Sequence, residues 1–330
     1  MITNYNTVEI ENSKMFNKNT ILILSSGLEE RSLGTLYFLK NSKIIISKII
    51  IFDYLEIECD ENMMKMIELA KEVASDIFIQ DNCIFSNPTQ SLKSYFSENN
   101  NLYENDELIT VDITSFSIPY YFSLLSFLVN KFKHNLINII YATPESYADR
   151  QEDIDEIKLS EGLNKVAAIP GFQGLKKYSK DVLIVLLGYE GKRSLEVLNA
   201  TEPDSVYALH GMPSYKIGTE EISILANKEF LREANINDGI FYSSAIDPFD
   251  TYNVLKEIVS IVKSKDSNAN ITISPLGSRL QSLGIFLYTY KNGDIQVAYP
   301  IPSSIEKGYS KGIGKIYAAK INVMSRSLHI

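Results

Sequence analysis

The fold class is first indicated by the stretch ILILSSGLEERSLGTLYFL at residues 21–39. Its branched apolar run, the serines and glycine that follow, and the apolar pattern at helical spacing predict a buried strand, a tight turn and a helix. The stretch VLIVLLGYEGKRSLEVL at residues 182–198 has the same order, with one inserted residue. The matched positions are Gly27 and Gly188, Glu29 and Glu190, Arg31 and Arg193, and Ser32 and Ser194. The chain therefore contains one strand–turn–helix unit twice.

Two further matches follow in the same order, at an offset of about 160 residues. ELITVDITSFSIPYYFSLLSFL, from Glu107, corresponds to NITISPLGSRLQSLGIFLYTY, from Asn270. NIIYATPESY, from Asn138, corresponds to QVAYPIPSSI, from Gln296. Self-similarity at one spacing is the sequence signature of a duplicated fold.

Strands are predicted where Ile, Leu and Val run without interruption. The first half has them at 21–25, 44–52, 108–113 and 137–142, with a weaker one near 77–79 or 83–85, and the second half at 182–187, 205–209, 270–274 and 295–299. Such runs indicate strands buried on both faces, as in a parallel sheet covered by helices. The predicted fold class is α/β, with two tandem Rossmann-like parallel-sheet domains related by internal duplication. We place repeat 1 at 1–150, a linker with a turn at AAIPGFQG at 151–180, and repeat 2 at 181–330.

Composition excludes several classes of protein. The 330 residues include 32 Lys and Arg against 41 Asp and Glu, a net charge of −9 that argues against duplex DNA as a partner. The two cysteines, Cys59 and Cys83, are too few for a disulfide framework. The N-terminus does not read as a signal peptide, and the most apolar stretch, 117–132, is too short to span a bilayer. A cytoplasmic protein without a membrane partner is expected.

The repeated turns predict a site for a small anion. In open parallel sheets, ligands bind beyond the carboxyl ends of strands, where the strand order reverses. Glycine lets backbone amides approach, the next helix offers free N–H groups, and serine and arginine side chains donate to phosphate. The predicted ligand-binding residues are Ser26, Gly27, Arg31, Ser32, Thr114, Ser115, Gly188, Arg193, Ser194, Ser274, Gly277, Ser278 and Arg279, and Ser25 and Ser117 are further donors nearby.

Simpler interpretations stand beside this one. Serine before a helix often only caps it, glycine after a strand often only turns the chain, and Glu29 and Glu190 could simply pair with the arginines. If the site is catalytic, the candidate bases are Glu29, Glu190 and Asp112. No cofactor is expected. No metal site is expected either, because His134, His210 and His329 lack ligand-spaced partners; a role for His210 in a cleft stays open.

The stretch NITISPLGSRLQSLGIFLY at residues 270–288 resembles the strand–turn–helix of CRISPR-associated Rossmann fold (CARF) sensor domains. The turn residues that carry the resemblance are Ser274, Gly277, Ser278 and Arg279, while Pro275 and Leu276 stand where the family tends to have paired glycines. The resemblance implies a sensor of cyclic oligoadenylates, which that family binds across an interface between two such domains. Two copies in one chain could form that arrangement internally.

Three functions remain open at this stage. The first is a nucleotide-binding sensor module. Its ligand would be bound between the halves, and the narrower candidate is a cyclic oligonucleotide second messenger. The module would signal to a protein effector partner in antiviral defence. Tyr141, Tyr299 or Tyr309 would stack on bases. The second is a metal-independent enzyme that acts on a nucleotide or phosphoester, such as a ring-nuclease-like phosphodiesterase. The third is a scaffold or interaction protein.

Overall fold

A computed structural model of the chain describes residues 8–9, 15–55, 60–85, 87–98, 107–132, 136–147, 160–177, 179–216, 218–236, 239–305 and 310–322. The chain divides into two compact units. Unit 1 is Met1–Ala148 with Lys307–Ile330, and unit 2 is Asp149–Glu306. Each unit has one large, mostly parallel sheet with helices between its strands, which confirms the predicted α/β class with two Rossmann-like sheets.

Unit 1 contains a seven-stranded sheet. Its strands are β1 (Val8–Glu9), β2 (Thr20–Ser25), β3 (Ile46–Tyr54), β4 (Ala74–Cys83), β5 (Leu108–Asp112), β6 (Leu136–Ala142) and β15 (Ile316–Asn322), and a separate two-stranded ribbon joins β7 (Ser146–Tyr147) to β14 (Ser310–Lys311). Its helices are a 3-10 turn (Glu30–Leu33), α1 (Gly34–Asn41), α2 (Asp60–Val73), α3 (Pro88–Glu98) and α4 (Ile118–Phe132). The order across the sheet is β1-β15-β6-β5-β2-β3-β4, and β2 to β6 run parallel.

Unit 2 contains a six-stranded sheet. Its strands are β8 (Ser160–Gln173), β9 (Asp181–Leu187), β10 (Ser205–Gly211), β11 (Ile240–Ser243), β12 (Asn270–Ser274) and β13 (Gln296–Ile305). Its helices are α5 (Gly191–Thr201), α6 (Glu220–Ala226), α7 (Lys228–Glu233), α8 (Pro248–Lys265) and α9 (Arg279–Lys291). The order is β11-β10-β9-β12-β13-β8, and only β8 runs antiparallel to its neighbour.

Apart from β1, which has no counterpart in unit 2, the two sheets have the same topology. β2, β3 and β4 correspond to β9, β10 and β11, and β5 and β6 correspond to β12 and β13. In each unit, the next two strands of the chain lie on one side of the first parallel strand, and the two strands after those lie on its other side. The strand order therefore reverses between β2 and β5 in unit 1, and between β9 and β12 in unit 2.

The antiparallel strand beside β6 in unit 1, and the one beside β13 in unit 2, each come from the tail of the other repeat. After β6 the chain forms β8, which pairs with β13, and after β13 it forms β15, which pairs with β6. The tails match in sequence, GLNKVAA from Gly162 and GIGKIYA from Gly312. They also match in register. Ala167 pairs with Tyr299 in unit 2, and the equivalent residues in unit 1, Tyr317 and Tyr141, also pair with each other. The duplicated repeats therefore exchange equivalent strands.

Because of this exchange, the boundaries of the two units differ from the predicted divisions at 150 and 180. Residues 307–330 fall in unit 1, and residues 160–173 of the predicted linker form β8. The predicted turn at AAIPGFQG is wrong, since Ala167 to Gln173 lie within that strand. Pro170 and Gly171 lie where the pairing shifts register, between Ala168 and Gln173. A proline and glycine thus mark an irregularity in a strand here, as they do at bulges.

Apolar side chains fill both faces of each sheet. In unit 1, Leu22, Leu24 and the inward faces of α1 and α2 form one cluster. The opposite face is aromatic, where Phe52 packs edge-on against Tyr95 and Tyr120. Sheets covered in this way leave their strand ends as the edges where polar groups collect. None of the described helices is long and apolar enough to cross a membrane.

Candidate functional site

In unit 1 the reversal of strand order brings the two predicted turns together. β2 and β5 pair in parallel, so the turn after Ser25 and the turn after Asp112 leave the same edge of the sheet. A Cβ atom placed on Gly27 would lie 2.4 Å from Ser115 Oγ. The expected adjacency of these turns is therefore observed, while their role as ligand contacts stays a prediction.

Two buried hydroxyls at this edge have no hydrogen-bond partner among the described residues. They belong to Ser25, the last residue of β2, and to Ser32, in the 3-10 turn. Both side chains are about 2% exposed. An unsatisfied buried hydroxyl costs free energy, and such groups in native proteins are the exception. Ser115, which contacts Gly27, is the partly exposed member of the group.

The other predicted residues of unit 1 have internal partners. Ser26 Oγ accepts a hydrogen bond from the backbone N–H of Tyr54 at 3.1 Å. Thr114 Oγ1 accepts one from the N–H of Ala142 at 2.9 Å, which ties the turn to the end of β6. Ser117 Oγ accepts from the N–H of Tyr120 at 3.2 Å and donates to Phe85 O at 2.8 Å. Ser117 thus caps the start of α4, as the simpler interpretation of a serine before a helix expects.

Asp112 is a buried carboxyl at the carboxyl end of β5. Thr35 Oγ1 donates to its Oδ2 at 2.6 Å, and the N–H of Thr114 donates to its Oδ1 at 2.9 Å. Burial raises the pKa of Asp112, against the hydrogen bonds from Thr114 and Thr35 and the charge of Arg31, which lower it. The group therefore takes up a proton more readily than an ordinary aspartate.

Arg31 and Glu29 form an ion pair that fixes the 3-10 turn. Arg31 Nε donates to Glu29 Oε2 at 2.8 Å, and its Nη1 donates to Tyr141 Oη at 3.0 Å and to Ala142 O at 3.4 Å. Ser310 Oγ donates to the other oxygen of Glu29. The pairing of glutamate with arginine, the simpler interpretation, is observed, and both side chains are already engaged without a ligand.

Unit 2 repeats the ion pair. Arg193 Nε donates to Glu190 Oε2 at 3.0 Å, and Arg193 Nη1 donates to Pro300 O at 2.8 Å. In the repeat alignment Pro300 corresponds to Ala142, so the two arginines donate to equivalent carbonyl groups, at the end of β6 and within β13. Glu196 lies nearby with a buried Oε2 that has no partner among the described residues, and burial raises its pKa.

The turns of unit 2 meet through backbone rather than through side chains. A Cβ atom on Gly188 would lie 1.9 Å from Leu276 O, and one on Gly191 would lie 1.7 Å from Ala226 O. No side chain fits at such distances, so glycine is required at both positions by the close approach of another backbone segment. This adjacency matches the sequence expectation, but the space in front of the turn is filled by carbonyl groups.

Two asparagines that the sequence did not single out hold these turns. Asn62 Nδ2 donates to Gly27 O at 3.2 Å, and Asn227 Nδ2 donates to Gly188 O at 2.7 Å. Ser194 Oγ also donates to Asn227 Oδ1, at 2.6 Å. In the sequence, each asparagine is marked only by its position at or near the start of a helix, α2 for Asn62 and α7 for Asn227. These segments have diverged too far between the repeats to align.

The predicted residues of the second turn in unit 2, which follows β12, differ in their hydrogen-bond partners and in their exposure. Ser278 caps α9, accepting from the N–H of Gln281 at 3.0 Å and donating to Ala245 O at 2.6 Å, while Gly277 packs on the Gln281 side chain. Ser274 is buried, and its Oγ lacks a partner among the described residues. Arg279 is partly exposed and its charge acts on Tyr299, whose pKa burial raises.

The tyrosines expected to stack on bases do not share one environment. Tyr141 is buried against Arg31, so its ring is not available to a base. Tyr299 is partly buried, and Tyr309 lies outside the described residues. The large exposed aromatic ring of unit 2 at the carboxyl edge is Tyr242, at the end of β11.

His210 lies at the carboxyl end of β10 and is nearly fully buried. Its Nδ1 lies 2.8 Å from Ser223 Oγ, and its ring meets the Tyr242 ring edge-on at 5.9 Å. Burial lowers the pKa of His210 and thereby favours the neutral ring, against the opposite effect of the Glu220 charge. Its observed contacts are those of a packed histidine.

The residues that the structure describes contain no group of three or more His, Cys, Asp or Glu side chains that could hold a metal ion. His134, His329 and Cys59 lie outside those residues. Cys83 is a buried free thiol, and burial raises its pKa to about 11. A thiol so held is protonated at neutral pH and is a poor nucleophile.

Comparison with known proteins adds little to this picture. No protein family model and no curated protein sequence matches the chain. Among solved structures, a universal stress protein from Archaeoglobus fulgidus DSM 4304 aligns with 88% of this chain and 98% of its own, at 13% sequence identity and a TM-score of 0.22. A likeness at that score carries no argument about fold or function, so both rest on the residues described above.

Proposed function

We propose that this protein binds a small phosphate-bearing ligand of the nucleotide class at the carboxyl edge of the parallel sheet of unit 1. The observation that carries the proposal is the pair of buried hydroxyls of Ser25 and Ser32, which have no hydrogen-bond partner in the described part of the chain, beside the contact of Gly27 with Ser115. They lie where the strand order reverses, the usual place for ligands in such sheets. Serine hydroxyls and a glycine turn are donors suited to an anion.

The narrower candidate is a cyclic oligonucleotide messenger. It is supported by the resemblance of residues 270–288 to sensor domains that bind cyclic oligoadenylates, with the strand, turn and capped helix at the expected positions. By the same resemblance, the bound state would be passed to a partner protein in bacterial antiviral defence. This part of the proposal rests on the resemblance alone, and the resembling turn lies in unit 2, whereas the hydroxyls that carry the broader proposal lie in unit 1.

A thermal-shift screen tests the ligand class. The phosphate-bearing probes are AMP, ATP, and cyclic tri- and tetra-adenylate, and adenosine serves as the phosphate-free control. Binding to the folded state raises the melting temperature in proportion to the logarithm of ligand concentration over dissociation constant. We expect a shift with at least one phosphate-bearing probe and none with adenosine. A flat response to every probe would refute the proposal.

A second candidate is an enzyme acting on a phosphoester, and Asp112 favours it. A buried carboxyl with a raised pKa at a strand end is the kind of group that serves as an acid or base in catalysis. Incubating the protein with whichever probe shifts the melting temperature, followed by chromatography, separates a binder from an enzyme. New products that disappear in Asp112→Asn would make the protein an enzyme, and intact ligand would make it a binder.

A further inference from the structure

The first turns of the two units differ in what faces the glycine. In unit 1 a serine side chain lies against Gly27, and the neighbouring Ser25 and Ser32 hydroxyls have no partner among the described residues. In unit 2 the Leu276 carbonyl lies against Gly188. A hydroxyl can donate a hydrogen bond to an anion, whereas a carbonyl oxygen only accepts. The same fold position is therefore suited to an anion in one unit and unsuited in the other.

The matched serines point to the same difference. Ser32 and Ser194 occupy equivalent positions, but among the described residues Ser32 has no hydrogen-bond partner, while Ser194 donates to Asn227, which also binds Gly188 O. In addition, the Ala226 carbonyl fills the position that a side chain at Gly191 would take. The α6–α7 junction, Ala226 and Asn227, thus occupies the first turn of unit 2.

We infer that the phosphate-bearing ligand binds in unit 1 alone, at Gly27, Ser32 and Ser115, and that the equivalent turn of unit 2 is closed by its own chain. This inference rests on the proposed function and adds that one ligand binds per chain. Ser25 and Ser32 are shielded from solvent in the unliganded chain. The partly exposed Ser115 is therefore the residue that must move from Gly27 as the ligand enters.

Two groups near these turns have to be reconciled with the assignment. Asp112 lies next to the unit 1 turn, but both its oxygens are held by Thr35 and Thr114, and burial favours its neutral form. Ser274 is a buried residue of unit 2 whose hydroxyl has no hydrogen-bond partner among the residues that the structure describes. It stands where unit 1 has Asp112, and Val197 stands where unit 1 has Thr35. Its isolation follows from the loss of that pair.

Anomalous diffraction from crystals soaked in tungstate, a heavy phosphate analogue, tests where the anion binds. We expect a peak bounded by Gly27, Ser32 and Ser115, and none at the turn between Gly188 and Gly277. A peak in unit 2 would overturn the single-site assignment and leave the proposed function standing. Absence of a peak in both units would count against both.

A matched pair of variants gives an independent measurement in solution, with AMP as the probe in isothermal titration. Ser32→Ala should weaken AMP binding about tenfold or more, because a hydrogen bond to a charged group is lost, and should leave the unliganded protein as stable as before. Ser194→Ala should leave AMP affinity and a stoichiometry of one unchanged while lowering the melting temperature. The reverse pattern, two AMP per chain, or no AMP binding at all would contradict the inference; only the last would also count against the proposed function.

Discussion

The glycines of the two first turns meet different neighbours, and this predicts unequal tolerance of a side chain. At Gly188 a Cβ atom would press on the Leu276 carbonyl, which is backbone and cannot move aside. At Gly27 it would meet Ser115 Oγ, which can rotate away, and Ser115 Cβ at 2.8 Å, which moves only with its own backbone. We expect Gly188→Ala to cost about 3 kcal/mol of unfolding free energy, and Gly27→Ala less, about 1–2 kcal/mol. Urea denaturation measures both, and equal costs would show that the turns are alike.

Asp112 predicts a pH dependence of stability that one substitution removes. Its pKa is raised by burial, so the folded state holds this proton more tightly than the unfolded chain does. The contribution of Asp112 to stability is then full below about pH 4, the unfolded pKa, and is lost as the pH rises through the folded pKa. Asp112→Asn lacks this loss, and its amide can keep an acceptor toward Thr35 or Thr114.

The measurement is the free energy of unfolding of both proteins between pH 4 and 8. The difference, variant minus wild type, should grow as the pH rises. The exposed Asp81 supplies a matched control, because Asp81→Asn should show a nearly constant difference. A constant difference for Asp112→Asn as well would mean that the folded protein does not raise its pKa.

At the scale of elements, the ion pair of Glu29 and Arg31 joins the 3-10 turn to the end of β6. Its side chains are 11% and 5% exposed, so removing one partner takes the ion pair away from a nearly buried charge. We expect Arg31→Ala to cost about 3 kcal/mol. The double variant Glu29→Gln with Arg31→Ala should cost less than the sum of the single changes, by about 1 kcal/mol or more.

Chemical denaturation of the wild type, both single variants and the double variant completes the cycle. Additive costs would show that the pair is not coupled. The result also bears on function, because loss of ligand binding in Arg31→Ala would report damage to the turn as readily as loss of a phosphate contact. The serines at the same edge are for that reason the better probes of the site.

Sequence patterns predicted elements best where a single strand buries both faces. The strands predicted at 21–25, 108–113 and 270–274 are observed within one residue of their ends, because their apolar runs stop at polar turn residues. β4 and β11 lie at sheet edges, carry mixed side chains and were placed poorly or missed. Of the site, the adjacency of the turns could be predicted from the repeat. The partners of Ser194, Gly27 and Gly188 could not, because they are long-range contacts to helices with no matching sequence.

At the scale of the whole molecule, the exchanged strands β8 and β15 determine which pieces of the chain can fold. Residues 1–148 carry β6 but lack β15, which pairs with all seven residues of β6 and buries Ala318 and Ile321. An uncovered apolar strand edge invites aggregation. A protein cut after residue 148, two residues before the predicted repeat boundary at 150, is therefore expected to be insoluble or unfolded, even though it contains nearly the whole predicted repeat 1.

Supplying the exchanged strand should restore the fold. β7 and β14 pair antiparallel within unit 1, so a short Gly/Ser loop from residue 148 to residue 307 would close a hairpin and deliver β15 to β6. We expect this fusion to be monomeric and to unfold cooperatively by circular dichroism, and residues 1–148 alone to fail both tests. Ile321→Asp in the fusion is the matched control, since it places a charge on the buried face of β15 and should abolish the rescue. If residues 1–148 fold without the tail, the sheet does not depend on the exchange, and each repeat is complete in itself.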